Sequence, residues 1–364
     1  MAKVKFDEIA RECRSTFKGD KTGVAIVGLE HIVPNEMLVK DYEVDTENTF
    51  SKSFKKGQIL FGRRRAYQQK AGVATFDGIC SGDITVIEAI PGKVDKDLLP
   101  FIIQNERFFE HAVQGSAGSL SPRVKWEHLA SYEFDLPPLP EQKVLADKLW
   151  AAYRLKESYK KLLAATDEMV KSQFIEMFGN LVTNPKGWKT GKIKDVAPES
   201  PSKESVEGKV WLLNLDMIES NTGKVIEKVY EDSENALSVQ PFDEGNVLFS
   251  KLRPYLNKVV IPDEPGLATT ELVPLRPKDD VLNKVFLSHL LRGDQFVNFA
   301  NEISGGTKMP RMPLSELRKF ECILPPMDEQ NKFVAIAEQA DKSKFELHKS
   351  IEAIDAVIKS LINN

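Results

Sequence analysis

The stretch Leu136–Gln142, LPPLPEQ, recurs 188 positions later as Leu324–Gln330, LPPMDEQ. The same offset relates GQILFGRRRAY, which begins at Gly57, to GNVLFSKLRPY, which begins at Gly245. A period of this length far exceeds the roughly 20–50 residues of a solenoid unit. Each copy is therefore long enough to form a domain with its own core, and the repeat predicts two such domains.

Each copy also ends in a predicted long helix. Neither 143–178 nor 331–364 contains Gly or Pro, and apolar residues recur there at alternating threes and fours, which is typical of a coiled-coil seam. Lys156 and Lys344 fall at the same seam position of the two copies. Two interpretations remain open for them: a polar residue that fixes the register, or a side chain at the flank of the seam that reaches water.

The composition is that of a globular protein. The 364 residues are 41% hydrophobic and carry a formal net charge of −4. No apolar run approaches the roughly 20 residues that cross a bilayer, and the N-terminus lacks the apolar core of a signal peptide. We therefore expect a cytoplasmic protein with no membrane contact. Cys13, Cys80 and Cys322 show no CxxC spacing, so neither a zinc motif nor a disulfide framework is predicted.

Basic residues cluster at equivalent places in the two copies. Seven Lys or Arg and no acidic residue lie between Ser51 and Phe76, and the matching segment 245–261 has three basic residues and again no acid. Tyr and amide side chains are interleaved with them. Arg and Lys can neutralise phosphates or bind guanine, and Gln or Asn can read adenine. Recurrence favours DNA contact over the alternative of a solvated hairpin.

Gly-rich stretches provide a second candidate surface. QGSAGSLSPR begins at Gln114 and SGGTKMPR begins at Ser304. They can present backbone N–H groups, hydroxyls and an arginine to phosphates, or they can be flexible connections. The predicted DNA contacts from both kinds of segment are Arg63, Arg64, Arg65, Tyr67, Gln68, Gln69, Lys70, Ser116, Ser119 and Arg123 in the first copy, and Lys251, Arg253, Tyr255, Asn257, Lys258, Ser304, Thr307, Lys308 and Arg311 in the second.

The sequence contains no recognisable catalytic motif. A phosphate-binding GxxxxGK sequence is missing, the five histidines show no metal-ligand spacing, and the Pro-Pro-aromatic signature of adenine methyltransferases is absent. We therefore assign no catalytic and no metal-binding residue.

Taken together, the paired Leu-Pro-Pro…Glu-Gln junctions, the long heptad helices and the NPKGWKTGKIKDV stretch from Asn184 resemble the specificity subunit of a type I restriction-modification system. The resemblance covers essentially the whole chain. It implies two target-recognition domains that alternate with two helical regions packed antiparallel, and a bipartite double-stranded DNA target.

The resemblance also implies that this chain binds no cofactor. Two methyltransferase subunits would supply S-adenosylmethionine chemistry, and two restriction subunits, which act as motor and nuclease, would supply ATP and Mg²⁺ chemistry. The chain itself would be a noncatalytic reader of DNA and a scaffold. The alternatives are a DNA methyltransferase or fused restriction enzyme, and a coiled-coil scaffold that does not bind DNA.

The resulting prediction is an α+β fold with an internal pseudo-twofold repeat and a long antiparallel coiled coil. Recognition domains are expected at 1–140 and 179–328, and helical regions at 141–178 and 329–364.

Overall fold

The computed structural model of the protein describes residues 2–202, 208–232, 238–306 and 308–363. The chain forms two compact units. Unit 1 comprises Met1–Lys160 together with Lys349–Asn364, and unit 2 comprises Lys161–His348. Each unit therefore combines an α/β part with a portion of both long helices.

Unit 1 is built from short strands and short helices, followed by the first long helix. Its strands are β1 Ala2–Lys5, β2 Ala10–Cys13, β3 Ala25–Val27, β4 Leu38–Val39, β5 Lys52–Phe54, β6 Ile59–Gly62, β7 Ala71–Ala74, β8 Gly78–Cys80, β9 Ile84–Ala89, β10 Ser116–Ala117, β11 Arg123–Val124 and β12 Glu133–Leu136. Its helices are α1 Phe6–Ile9, α2 Leu99–Ile103, α3 Glu106–Gln114, α4 Trp126–Ala130 and α5 Leu139–Phe178, whose last part belongs to unit 2.

Unit 2 repeats this order with fewer described strands. Its strands are β13 Lys189–Lys192, β14 Lys209–Leu213, β15 Val229–Asp232, β16 Val239–Phe242, β17 Val247–Ser250, β18 Val259–Val260, β19 Gly266–Thr269, β20 Leu272–Leu275 and β21 Glu321–Leu324. Its helices are α6 Ile193–Val196, α7 Lys284–Arg292, α8 Asp294–Glu302, α9 Leu314–Lys319 and α10 Met327–Asn363, whose last part belongs to unit 1.

The sheet around the basic segment has the same arrangement in both units. In unit 1, β6 lies between β9 and β7 in the order β2-β9-β6-β7-β4, and in unit 2, β17 lies between β20 and β18. Both central strands are buried at all four positions, as expected of uninterrupted apolar runs. They therefore fix where the loops that follow them emerge.

An aromatic pair anchors each central strand to a helix. Phe61 of β6 packs edge to face against Phe108 of α3, with ring centroids 5.9 Å apart. The residues 188 positions later, Phe249 of β17 and Phe296 of α8, form the same contact at 5.4 Å. Edge-to-face geometry matches the negative face of one ring to the positive edge of the other. The repeat thus preserves the core that positions the basic loop.

The Leu-Pro-Pro…Glu-Gln motif joins each α/β part to its long helix. α5 begins directly after Pro138, and Gln142 in its first turn is buried. The Gln142 side chain accepts a hydrogen bond from the Asp95 backbone amide (2.8 Å) and donates one to the Pro137 carbonyl (2.8 Å). Both polar ends of the amide are satisfied, so the glutamine connects the start of the helix to the loop that precedes α2.

Unit 2 uses the same connection. Gln330 is fully buried, accepts from the Asn283 amide (2.9 Å) and donates to the Pro325 carbonyl (2.8 Å). Its amide also donates to the carbonyl of Val281 (3.0 Å). Glutamine suits this position because its side-chain amide can accept one hydrogen bond and donate two.

Within each unit the portions of α5 and α10 run antiparallel. In unit 2, Phe174 contacts Phe333 while Asp167, two turns earlier in α5, pairs with Lys344, which comes later in α10. In unit 1, Lys156 pairs with Asp355. The α+β class, the internal repeat and the long paired helices of the prediction are confirmed.

No helix in the described ranges has both the length and the apolar character that a bilayer span requires.

Candidate nucleic-acid interface

The basic segment of unit 1 is the connection between β6 and its antiparallel neighbour β7. It contains a short 3₁₀ turn, Ala66–Gln68, and both flanking residues, Arg65 (φ 54°) and Gln69 (φ 53°), have left-handed backbone conformations. Such conformations are uncommon for residues other than glycine. They turn the chain so that Tyr67, at the centre, is 57% exposed. An aromatic side chain on a basic loop is thereby presented to solvent.

The basic segment of unit 2 has the same backbone. Arg253 (φ 49°) and Asn257 (φ 48°) flank the turn Pro254–Leu256, again in left-handed conformations. Tyr255, at the centre of this turn, is 51% exposed. Two loops of different sequence thus adopt one conformation and expose the same aromatic residue.

The Gly-rich loop lies beside the basic hairpin. In unit 1 the Arg65 amide donates to the Pro122 carbonyl (2.8 Å), and the Val124 amide donates to the Arg63 carbonyl (3.0 Å). The Arg64 guanidinium reaches the Ser121 hydroxyl at 3.0 Å. The two segments that the sequence predicted separately therefore form one continuous surface.

Backbone hydrogen bonds join the same two segments in unit 2. The Arg253 amide donates to the Pro310 carbonyl (2.7 Å), and the Met312 amide donates to the Lys251 carbonyl (2.9 Å). Gly118 in unit 1 (φ 115°) and Gly306 in unit 2 (φ 103°) turn the Gly-rich loops in a conformation that favours glycine. The glycines are therefore required by the turn itself.

An acidic residue orients the arginine of each Gly-rich loop. Asp83 accepts two hydrogen bonds from Arg123, at 2.6 and 3.1 Å, and hydrogen bonding to Arg123 is the main reason why the pKa of Asp83 is lowered. In unit 2, Glu271 accepts from Arg311 at 3.1 Å. Sequence analysis missed Asp83 and Glu271, although their spacing of 188 was a signal that could have identified them.

Other cations of the surface have no counter-ion. The guanidinium groups of Arg65 and Arg253 form no ion pair with any described residue, and their Nε atoms are buried without a hydrogen-bond partner. A buried donor without a partner is costly, because it has lost its water. These arginines therefore retain donors and charge for an anionic ligand.

Besides Arg64, Arg123 and Arg311, whose side chains bond within the protein, five predicted contacts donate a side-chain hydrogen bond to a backbone carbonyl. Lys70 and Lys258 donate to the carbonyls of Leu29 and Leu215, Ser116 and Ser304 donate to Ala112 and Ala300, and the buried Asn257 donates to Arg292. These bonds shape the loops, a role that the sequence analysis did not assign to the five residues.

The remaining predicted contacts lie at or near the surface. Ser119 and Lys308 are exposed, whereas Gln68 and Gln69 are partly buried. Thr307 lies outside the described residues. Among the described residues, no group of three His, Cys, Asp or Glu side chains is placed to hold a metal ion.

Comparison with known proteins identifies the repeat. The family model described as type I restriction modification DNA specificity domain matches residues 11–165 and again residues 185–355. The chain is 22% identical over 292 residues to the type I restriction enzyme EcoDI specificity subunit of Escherichia coli. It is 25% identical over 193 residues to the MjaIX specificity subunit of Methanocaldococcus jannaschii.

The match to the EcoDI subunit covers 68% of this chain and 65% of that subunit. The match to the MjaIX subunit covers 50% of this chain and 44% of that subunit, so this chain spans less than two thirds of either relative. The fold resembles that of the type I restriction-modification S subunit from M. genitalium. The superposition covers 99% of this chain and 94% of the other, with a TM-score of 0.59 and 12% identity. The two family matches together cover most of the sequence. The chain therefore belongs to the type I restriction modification DNA specificity family and carries two copies of its domain.

Proposed function

We propose that this chain is the DNA-recognition subunit of a type I restriction-modification complex, in which each unit reads one half of a bipartite double-stranded target. The observation that carries the proposal is the recurrence in both units of one surface: a basic hairpin with an exposed tyrosine, held against a Gly-rich loop that carries an arginine. A duplicated surface of this kind suits a ligand with two half-sites.

The proposal assigns different tasks to shared and to differing residues. Arg65 and Tyr67 recur as Arg253 and Tyr255 in the same conformation. Phosphates and sugars are common to every DNA sequence, so residues that both units share suit backbone contact. Positions that differ on the same scaffold suit base reading.

Five positions between Arg63 and Lys70 differ from their counterparts in unit 2, and two of them change from a polar to an apolar residue. Arg64 and Gln68 of unit 1 correspond to Leu252 and Leu256 of unit 2. Arginine can bind guanine and glutamine can bind adenine, whereas leucine favours the thymine methyl group. The two half-sites should therefore differ in sequence.

The second part of the proposal is a scaffolding role for the long helices. In unit 2, Leu162 and Met169 lie seven residues apart on one face of α5 and are 50% and 46% exposed. Exposed apolar residues at heptad spacing are typical of a surface that packs against further helices. We infer two methyltransferase subunits as partners, together with two restriction subunits that act as motor and nuclease.

In this proposal the chain contributes recognition, and S-adenosylmethionine, ATP and Mg²⁺ are bound by the partner subunits. DNA recognition is tested by selection from a random duplex library with the purified chain and with the complex assembled with its methyltransferase. Enrichment of a bipartite motif is the expected result. Selected sequences that share no motif would refute sequence-specific recognition.

The exposed tyrosines offer a matched pair of variants. Tyr67→Ala should weaken protection of one half-site by about 1.5–3 kcal/mol, the range of a hydrogen bond to a charged group such as a phosphate, and Tyr255→Ala should weaken the other. Tyr→Phe at the same positions keeps the ring but removes the hydroxyl donor, and should weaken the same half-site. A uniform loss across both half-sites after either single change would contradict the assignment of one unit to each half.

Scaffolding is tested separately by co-purification. Leu162→Arg combined with Met169→Arg should reduce recovery of the methyltransferase, because charges replace an apolar face. Ala164→Arg is the control, since this exposed residue lies about 200° around the helix from Leu162. Equal recovery with the control and the double variant would argue against docking on this face.

A further inference from the structure

Unit 2 contains a cavity of about 310 Å³. Val170 and Phe174 of α5, with Leu181 just beyond that helix, form much of its apolar wall. Its polar wall includes Arg292, the last residue of α7, and His289, one turn earlier. Small-molecule sites have this size and this combination of a mainly apolar wall with a few polar groups.

Arg292 is a cation without a carboxylate partner among the described residues. Its Nη1 donates to the Thr222 carbonyl, its Nη2 lies 3.2 Å from His289 Nε2, and its Nε is buried without a partner. Burial lowers the pKa of His289, so the imidazole is neutral and can accept this hydrogen bond. A guanidinium has five N–H donors, and several therefore remain for a ligand.

Two of the three carboxylates that line the cavity are already paired with another cation, and the third, Asp294, is the first residue of α8. Lys344 Nζ lies 2.9 Å from Asp167 and 2.8 Å from Asp341. Helix α8 begins at Asp294 beside the cavity, and its N-cap residue, Gly293, has no side chain that could satisfy the first amides. The partial positive charge of this helix end offsets the charge of the Asp294 carboxylate. Arg292 thus remains a cation without a direct ion pair to any described residue, at the edge of the apolar wall.

Unit 1 has a cavity of about 490 Å³ lined at equivalent repeat positions. There Gln104 stands where unit 2 has Arg292, and Phe101 stands where unit 2 has His289. The Gln104 amide donates to the carbonyl of Glu36 (3.1 Å) and to that of Ala71. The arginine at this position is therefore a feature of unit 2. Gln104 of unit 1 shows that the same position accepts a neutral residue.

We propose that the unit 2 cavity binds a small amphipathic carboxylate, with its apolar body against Phe174 and Leu181 and its carboxylate on Arg292. A planar carboxylate suits two parallel N–H donors of a guanidinium. A doubly charged phosphate suits the cavity less well, because Asp167 and Asp341 would repel the additional charge. The proposal does not rest on DNA recognition, although the Arg292 carbonyl accepts a hydrogen bond from Asn257 of the basic hairpin.

The experiment uses the full chain and two probes that share the phenyl body, 3-phenylpropionate, which ends in a carboxylate, and 3-phenylpropan-1-ol, which ends in a neutral hydroxyl. Isothermal titration calorimetry should show that the acid binds at least tenfold more tightly than the alcohol. Arg292→Gln, which introduces the residue of unit 1, should reduce this preference to about twofold or less. Ile175 lines the cavity and is 56% exposed, and Ile175→Ala should weaken the binding of both probes alike.

Equal binding of acid and alcohol to the unchanged protein, or no binding of either, would overturn the proposal. So would an acid preference that persists in Arg292→Gln. If Arg292→Gln does not fold, the two probes on the unchanged protein, together with the exposed Ile175→Ala variant, still decide the question.

Discussion

Lys156 Nζ lies 2.5 Å from Asp355 Oδ1, across the two long helices of unit 1. The residues 188 positions from each partner, Lys344 and Asp167, form the same ion pair at 2.9 Å in unit 2. The lysines therefore do not simply extend to water from the flank of the seam. Equivalent ion pairs in the two units specify how α5 and α10 align within each unit. This is the interpretation in which a polar seam residue fixes the register.

Charge reversal tests this register role. Lys156→Asp should destabilise unit 1, because it places two carboxylates together, and the added change Asp355→Lys should restore the lost stability. A double-mutant cycle in urea should give a coupling free energy of about 0.5–1 kcal/mol for this partly exposed pair. The exposed pair Lys359–Glu106 is the control, for which the coupling should be smaller. Equal coupling in both cycles would contradict a special role for Lys156.

Gln142 should be required for the junction between helix and α/β part. Gln142→Ala leaves the Asp95 amide and the Pro137 carbonyl without their partner. Because both groups are partly buried, each unsatisfied group should cost about 1 kcal/mol, the low end of the range for a buried polar group. Urea unfolding should show this loss, and hydrogen exchange of the Asp95 amide should accelerate. Glu141→Gln, at the exposed neighbouring position, is the control. Unchanged exchange at Asp95 would show that the hydrogen bond does not protect this loop.

Exchange of hairpin residues between the units should change sequence preference. Arg64→Leu with Gln68→Leu gives unit 1 the residues that unit 2 has at these positions. We expect the half-site read by unit 1 to change, with each lost base contact worth about 1–3 kcal/mol, while the other half-site stays the same. Selection from a random duplex library checks both halves at once. Loss of affinity with unchanged sequence preference would assign Arg64 and Gln68 to backbone contact instead.

The Asp83–Arg123 pair should add stability that depends on pH. The pKa of Asp83 is lowered in the folded protein, so its contribution is complete above the unfolded value of about 3.9 and is lost as pH falls through the folded value. The difference in unfolding free energy between the unchanged protein and Asp83→Asn should therefore be constant from pH 7 to about pH 5, and should shrink below about pH 4. Arg123→Gln should remove the same pH-dependent part. A difference that grows on acidification would contradict the assignment.

The sequence was sufficient to predict the repeat, the fold class and the long helices, because these depend on periodic apolar patterns and on the distribution of Gly and Pro. The prediction that the basic and Gly-rich segments face DNA rests on the same repeat, because both copies keep these segments, and it stays a prediction. The sequence did not predict that the basic hairpin and the Gly-rich loop share one surface. That contact depends on hydrogen bonds between backbone atoms of Arg65 and Pro122, which no side-chain pattern indicates.

The sequence also did not indicate that some polar side chains of the basic hairpin bond within the protein. Asn257 and Lys258 were predicted as contacts from residue type, but left-handed backbone at Arg253 and Asn257 directs the loop so that both side chains bond to the protein. Arginine gives no local signal for such a conformation, unlike glycine. Residue type thus indicated the surface, and backbone geometry decided which side chains remain on it.

Unit 1 is completed by residues 349–363, after the whole of unit 2 in the chain. During synthesis, unit 2 can assemble from one uninterrupted segment, whereas the unit that begins at the N-terminus has to wait for the final part of α10. Domains generally fold in the order in which they are synthesised, and here that order is reversed for the last step. A nascent chain stopped before Lys349 would contain every residue of unit 2 but would lack the last segment of unit 1.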